Sequence, residues 1–116
     1  MTTIDVLDPV DGSVIDQVPD LGVEDALAAL EVAVKVQEEW AATPPRERGE
    51  ILRRAFELVT ERKDDFARTM SLEMGKPLAE AAGEVAYGAE FLRWFSEEAV
   101  RIDGSWLKRP RAAPGC

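Results

Sequence analysis

Histidine and asparagine are both missing from this chain, and cysteine occurs once, as the final residue Cys116. Without histidine there is neither the commonest general base nor the commonest nitrogen ligand for a metal. Without asparagine no side chain of that type can donate to an oxyanion. A single thiol permits no internal disulfide, and a chain end is a poor place to hold a nucleophile still. No apolar run approaches the ~20 residues that a membrane-spanning helix needs, so no membrane partner is expected. Bases are scarce at the front: residues 1–45 carry ten acids and one base, Lys35, while residues 46–116 carry thirteen of each, for a formal charge of −9. That sign repels phosphates, so no nucleic-acid partner is expected, and the acidic front reads as a solvated face. Met1-Thr2-Thr3-Ile4-Asp5 shows no basic, apolar or cleavage-site pattern, which leaves a cytoplasmic location as the expectation.

The familiar chemical motifs are absent too. No Gly-x-Gly-x-x-Gly occurs, so no dinucleotide fingerprint is present and no cofactor-binding residue is named. Gly75-Lys76 is not a phosphate loop, because Met70 stands where its first glycine belongs and Pro77 where Ser or Thr belongs. Asp5, Asp8 and Asp11 lack the alternation and the distant Glu of a calcium loop, so no metal site is named. Glu97-Glu98 and Asp64-Asp65 are adjacent acids, which point to different sides of a helix and cannot face each other across a bond. No catalytic residue is assigned.

What is present is a helical pattern behind a short β-compatible start. At 116 residues and 46% hydrophobic content, the chain is expected to build one domain with its own core and to bury roughly two thirds of its unfolded surface. Ile4–Leu7 and Ser13–Val18 read as strands around Asp8-Pro9-Val10-Asp11-Gly12, in which Pro9 presets one angle and Gly12 admits a positive φ. Such a hairpin is marginal alone and must lie against something. A first helix is predicted over Val23–Ala42, with Val23, Leu27, Leu30, Val34 and Trp40 as one buried stripe. Thr43 is its successor's predicted N-cap, with Pro44 at the first helical position. Ile51, Leu52, Ala55, Phe56 and Val59 mark a second helix, with charges from Arg46 to Glu57, Arg48 among them, interleaved for local pairs. After a polar break at Glu61–Asp65, Phe66, Ala67, Met70 and Met74 mark a third helix, stopped by Gly75. Pro77 opens a fourth, whose apolar residues run from Leu78 to Ile102; Tyr87, Phe91 and Trp94 give it a second edge, so burial on more than one side is expected. Gly83 and Gly88 each cost this helix ~1 kcal/mol relative to Ala, which suggests a backbone approaching closely there. The fold class is therefore mainly α with a small N-terminal β-hairpin over residues 1–104, followed by a divergent, disordered tail over 105–116.

Leu72-Glu73-Met74-Gly75-Lys76-Pro77-Leu78-Ala79-Glu80-Ala81, then Gly83-Glu84-Val85 and Phe91-Leu92-Arg93-Trp94-Phe95-Ser96-Glu97-Glu98-Ala99, closely resemble the NAD(P)-dependent aldehyde dehydrogenase superfamily, nearest its succinate-semialdehyde dehydrogenase branch. Asp8-Pro9, Gly12, Trp40, Arg48 and Ile51-Leu52 agree in order. The resemblance implies the N-terminal hairpin and helical segment of an α/β enzyme that oxidises an aldehyde to its acid with NAD or NADP. It also implies that the family's thiol, general base, oxyanion donor and nucleotide contacts lie beyond Cys116, so that this chain binds no cofactor alone and is inactive alone. A premature stop, a frameshift or an amino-terminal piece would each give such a sequence. In the family the long helix nears the mouth of the substrate tunnel, which makes Trp94 and Glu98 the substrate-tunnel candidates; their ordinary roles would be core packing and a solvated charge. Two partners are open: the remainder of such a subunit, or a second copy, against an exposed apolar helix face. The alternative function is a non-enzymatic helical module that self-associates or binds a partner.

Overall fold

A computed structural model describes residues 2–102. Strands β1 (Thr3–Leu7) and β2 (Val14–Pro19) pair antiparallel, with a bulge between Val6 and Leu7. The turn between them has the predicted chemistry: the Asp8 carboxylate accepts from the Val10 amide at 2.8 Å, and Gly12 takes φ 76°. Helices α1 (Val23–Ala42), α2 (Pro45–Glu61), α3 (Lys63–Met74) and α4 (Leu78–Glu98) follow. The mainly α architecture with a small hairpin is as the sequence predicts. The expected tail over 105–116 and Cys116 lie outside the described residues.

Several boundaries move for local reasons. Pro45, not Pro44, occupies the first helical position of α2, and Thr43 closes α1 instead, its hydroxyl donating to the Glu39 carbonyl at 3.3 Å. The polar break shrinks to Arg62, because Asp64 and Asp65 serve in the first turn of α3, where negative charge suits the helix dipole. Gly75 ends α3 in the left-handed conformation (φ 69°), and the Ser71 hydroxyl donates to the Lys76 carbonyl at 2.7 Å. Helix α4 stops at Glu98 rather than Ile102; the β-branched Val100 and Ile102 are weak helix formers, and the Arg101 amide closes a turn on the Glu98 carbonyl.

The packed unit is α2, α3 and α4, with α4 lying against both of its predecessors. Its centre is made of small residues: Ala67, Ala81 and Val85, flanked by Val59, Met70 and Ala82, with Ala89 and Ala99 also buried along α4. Small side chains let the helix axes approach. Among the described glycines the tightest surroundings are at Gly49, where an added Cβ would stand 2.7 Å from the Ser96 carbonyl oxygen. At Gly83 and Gly88 no described residue comes within 4 Å of an added Cβ, so the close approach expected there is not made by the described residues. The hairpin touches the helical unit at its turn, where Pro9 packs against Gly75.

Burial falls short of the expectation. The accessible surface is 10083 Å², whereas a folded monomer of 12.8 kDa exposes about 6,300 Å². Set against an unfolded chain of about 18,600 Å², somewhat under half is buried rather than two thirds. Two features of the described residues contribute to this. Among the described residues, α1 has no buried side chain, so its predicted stripe lies bare. The second edge of α4 is bare as well: Tyr87, Phe91 and Trp94 are exposed, and the buried residues Ala81, Val85 and Ala89 all lie on the opposite face.

Candidate functional site

The two tunnel candidates meet in one groove. Its walls come from the end of α1, the front half of α2 and the last turns of α4, and it encloses about 530 Å³ between Trp40, Arg48, Ile51, Leu52, Trp94, Phe95 and Glu98. Helical spacing explains the convergence. Trp94 and Glu98 are four residues apart on α4, and Arg48 stands one turn before Ile51 and Leu52 on α2, so each pair shares a face. Trp94 is 64% exposed and is therefore not a core residue of this chain; Glu98 is half-buried and its carboxylate accepts from Arg101 at 2.5 Å. Trp94 also borders a second apolar hollow with Tyr87 and Phe91, whose rings meet edge to face at 5.1 Å.

Arg48 is the residue that sequence reasoning missed. Taken as one of several interleaved charges, it instead turns into the groove, and its Nε is buried with no hydrogen-bond partner among the described residues. The pairs that do form on α2 are Arg53 with Glu50 and Glu57, and Arg54 with Glu57. The signal was present: Arg48 precedes Ile51 and Leu52 by three and four residues, on the apolar stripe rather than the polar face.

Chemically the groove offers apolar walls, aromatic faces, one unpartnered guanidinium donor and one paired carboxylate. Such a lining holds an apolar or carboxylate-bearing group. Among the lining residues there is no thiol, hydroxyl nucleophile or imidazole. A dinucleotide pyrophosphate is commonly cradled by a glycine-rich turn feeding a helix N-terminus. Two helix entries among the described residues carry a glycine, Gly22 into α1 and Gly75-Lys76-Pro77 into α4, and neither is such a turn: the Gly22 amide donates to the Asp25 carboxylate at 2.9 Å, and at the second the lysine ammonium is paired with Glu84 and the glycine is packed on Pro9. Also among the described residues, no group of three or more acids and thiols is placed to hold a metal, and no helix is long and apolar enough to cross a membrane.

Comparison with known proteins adds scale. The Aldehyde dehydrogenase family model matches residues 1–113. The chain is 70% identical over 87 residues to a succinate-semialdehyde dehydrogenase of Paenarthrobacter nicotinovorans, covering 75% of this chain and 19% of that one. It is 46% identical over 104 residues to the succinate-semialdehyde dehydrogenase [NADP(+)] of Escherichia coli (strain K12), covering 90% of this chain and 22% of the relative. The fold superposes on the crystal structure of an NADP-dependent enzyme from E. coli with a TM-score of 0.89 and 43% identity, over 96% of this chain and 23% of that one. The chain thus spans about a fifth of the length of the relatives it matches.

Proposed function

This chain belongs to the aldehyde dehydrogenase family, and we propose that it is the amino-terminal piece of a cytoplasmic, succinate-semialdehyde-dehydrogenase-like subunit. The reaction of the whole subunit is oxidation of an aldehyde to its carboxylate, with NAD or NADP accepting the hydride and water supplying the second oxygen. The single observation that carries this reading is the superposition on nearly the whole of this chain and under a quarter of the other, at 43% identity. In this reading Trp94 and Glu98 stand near the mouth of the substrate tunnel, with Arg48 beside them. The chain supplies the scaffold and one wall; the nucleophile, base and hydride acceptor are supplied from outside the described residues, and the chain alone does not turn over.

Two measurements test this. Purified chain given succinate semialdehyde and either NAD or NADP should produce no absorbance of the reduced cofactor. A chimera in which this chain replaces the matching segment of the P. nicotinovorans enzyme should retain turnover, since 70% of the aligned residues already agree. A soluble, folded chimera without activity, or turnover by the isolated chain, refutes the reading. A second reading, a non-enzymatic helical module, is favoured by one observation: the apolar residues left exposed along α1 and α4.

A further inference from the structure

The fold brings Arg48 indoors and gives it nothing to bond. Its side chain is half-buried and its Nε wholly so, with no hydrogen-bond partner among the described residues. The ion pairs formed among those residues do not include it. Buried donors are nearly always bonded, so an exception calls for an acceptor from elsewhere. The acid in the same lining does not serve: the Glu98 carboxylate accepts from Arg101 at 2.5 Å. The groove therefore carries two guanidiniums, Arg48 and Arg101, against one carboxylate, a local charge of +1 on a chain whose formal charge is −9. Around these groups stand Trp40, Ile51, Trp94 and Phe95. Charge held against such walls is screened by salt far less than charge on an open surface.

We propose that the groove is a binding site for a small amphipathic monocarboxylate: a free molecule with its carboxylate on Arg48 and an aryl or alkyl body against Trp40, Trp94 and Phe95. The inference goes beyond the functional reading and does not rest on it, since binding is read on this chain without turnover. Three features select the ligand class. A guanidinium presents its N–H groups as a planar fork, which matches the two oxygens of a carboxylate. A phosphate ester fits less well, because apolar walls would leave its further oxygens unbonded and a local charge of +1 does not balance a dianion. An apolar body, in turn, removes area from water against the aromatic walls. The enclosed volume of about 530 Å³ lies within the ~300–1,000 Å³ usual for small-molecule sites, which are apolar with a few placed polar groups.

The test is titration of the full chain with 3-phenylpropionate, followed by calorimetry and by NMR of the indole N–H groups. The acid should bind at one to one, at least tenfold more tightly than 3-phenylpropionamide, which keeps the body without the charge, and than acetate, which keeps the charge without the body. The indole signals of Trp40 and Trp94 should shift on saturation. Arg48→Met should lose at least tenfold in affinity for the acid and nothing for the amide, with a Tm no lower than the parent's, because an unbonded donor has been removed. Arg48→Lys, which keeps the charge without the fork, should fall between the two. Glu98→Gln should tighten binding by removing the repelling carboxylate and releasing Arg101. Arg53→Gln, at a guanidinium paired outside the groove with Glu50 and Glu57, should leave the affinity unchanged. Equal affinity for acid and amide, including none for either, overturns the proposal. So does an Arg48→Met chain that binds the acid like the parent, and so does a glutamate-rich peptide that binds where the small acid does not, which would make the occupant a polypeptide.

Discussion

Gly49→Ala places one methyl group where the packing of α2 on α4 has no room for it. The new Cβ would stand 2.7 Å from the Ser96 carbonyl oxygen and 3.5 Å from Ala99 Cβ, whereas ordinary contact begins near 3.4 Å. The helices must therefore separate by about 0.7 Å at this point, or α2 must tilt. The obstacle is backbone within α4, which cannot rotate aside as a side chain would. Overpacking of this kind costs ~1–3 kcal/mol, and backbone resistance puts Gly49 at the upper end. Against this, replacing glycine by alanine inside a helix gains ~1 kcal/mol. The net expectation is a loss of about 1–2 kcal/mol, seen as a fall of about 5–15 °C in Tm for a unit of this size. Gly83→Ala and Gly88→Ala are the controls, since both positions lie in α4 with open space around them. Each should raise stability by up to ~1 kcal/mol through helix propensity alone. Thermal unfolding of the three variants, followed by circular dichroism, decides between steric and propensity effects. Stabilisation by Gly49→Ala comparable to that of Gly83→Ala would refute the packing argument.

Other perturbations follow from the same geometry. Gly75→Ala forces an L-residue into φ 69° with its Cβ 3.1 Å from Pro9 Cγ; a loss of ~1–2 kcal/mol is expected, with Gly75→Asn milder because asparagine tolerates that conformation, both read by denaturant titration. The Asp11 carboxyl is held below its ordinary value of 3.8 by hydrogen bonds from Ser13, side chain first and backbone second. Because the folded value is the lower one, this contribution is in place above pH 3.8 and is lost as pH falls through the folded value. Carbon-detected NMR titration should therefore find Asp11 titrating below 3.8, and Ser13→Ala should move it back up. Glu84→Gln removes the partner of the Lys76 ammonium, but Glu84 is more than half exposed, so the Tm change should correspond to less than ~1 kcal/mol and shrink in high salt.

The hairpin, the four helices and their approximate limits were legible from the chain because local physics sets them. Asp8-Pro9 and Gly12 write the turn, Gly75 writes the end of α3, and the 3.6-residue spacing of apolar residues writes α1, α2 and α4. The shared groove of Trp94 and Glu98 was half legible: their four-residue spacing puts them on one face of α4, but spacing on α4 says nothing of which residues come across from α2. Arg48 was hidden for that reason. Its charge suggested solvent, and only its place on the Ile51–Leu52 stripe hinted at the groove.

Periodicity along a single chain determines which residues share a face and where a helix stops, since both depend on neighbours within a turn or two. Whether a face is covered depends on atoms far away in sequence, and here the coordinates reversed the expectation. The stripe of α1 and the second edge of α4 read as core but lie exposed, while Gly49, which no local rule singles out, sits where α2 and α4 leave no room for a methyl group. An amphipathic pattern records the need for a partner; only the tertiary arrangement shows whether the same chain provides one.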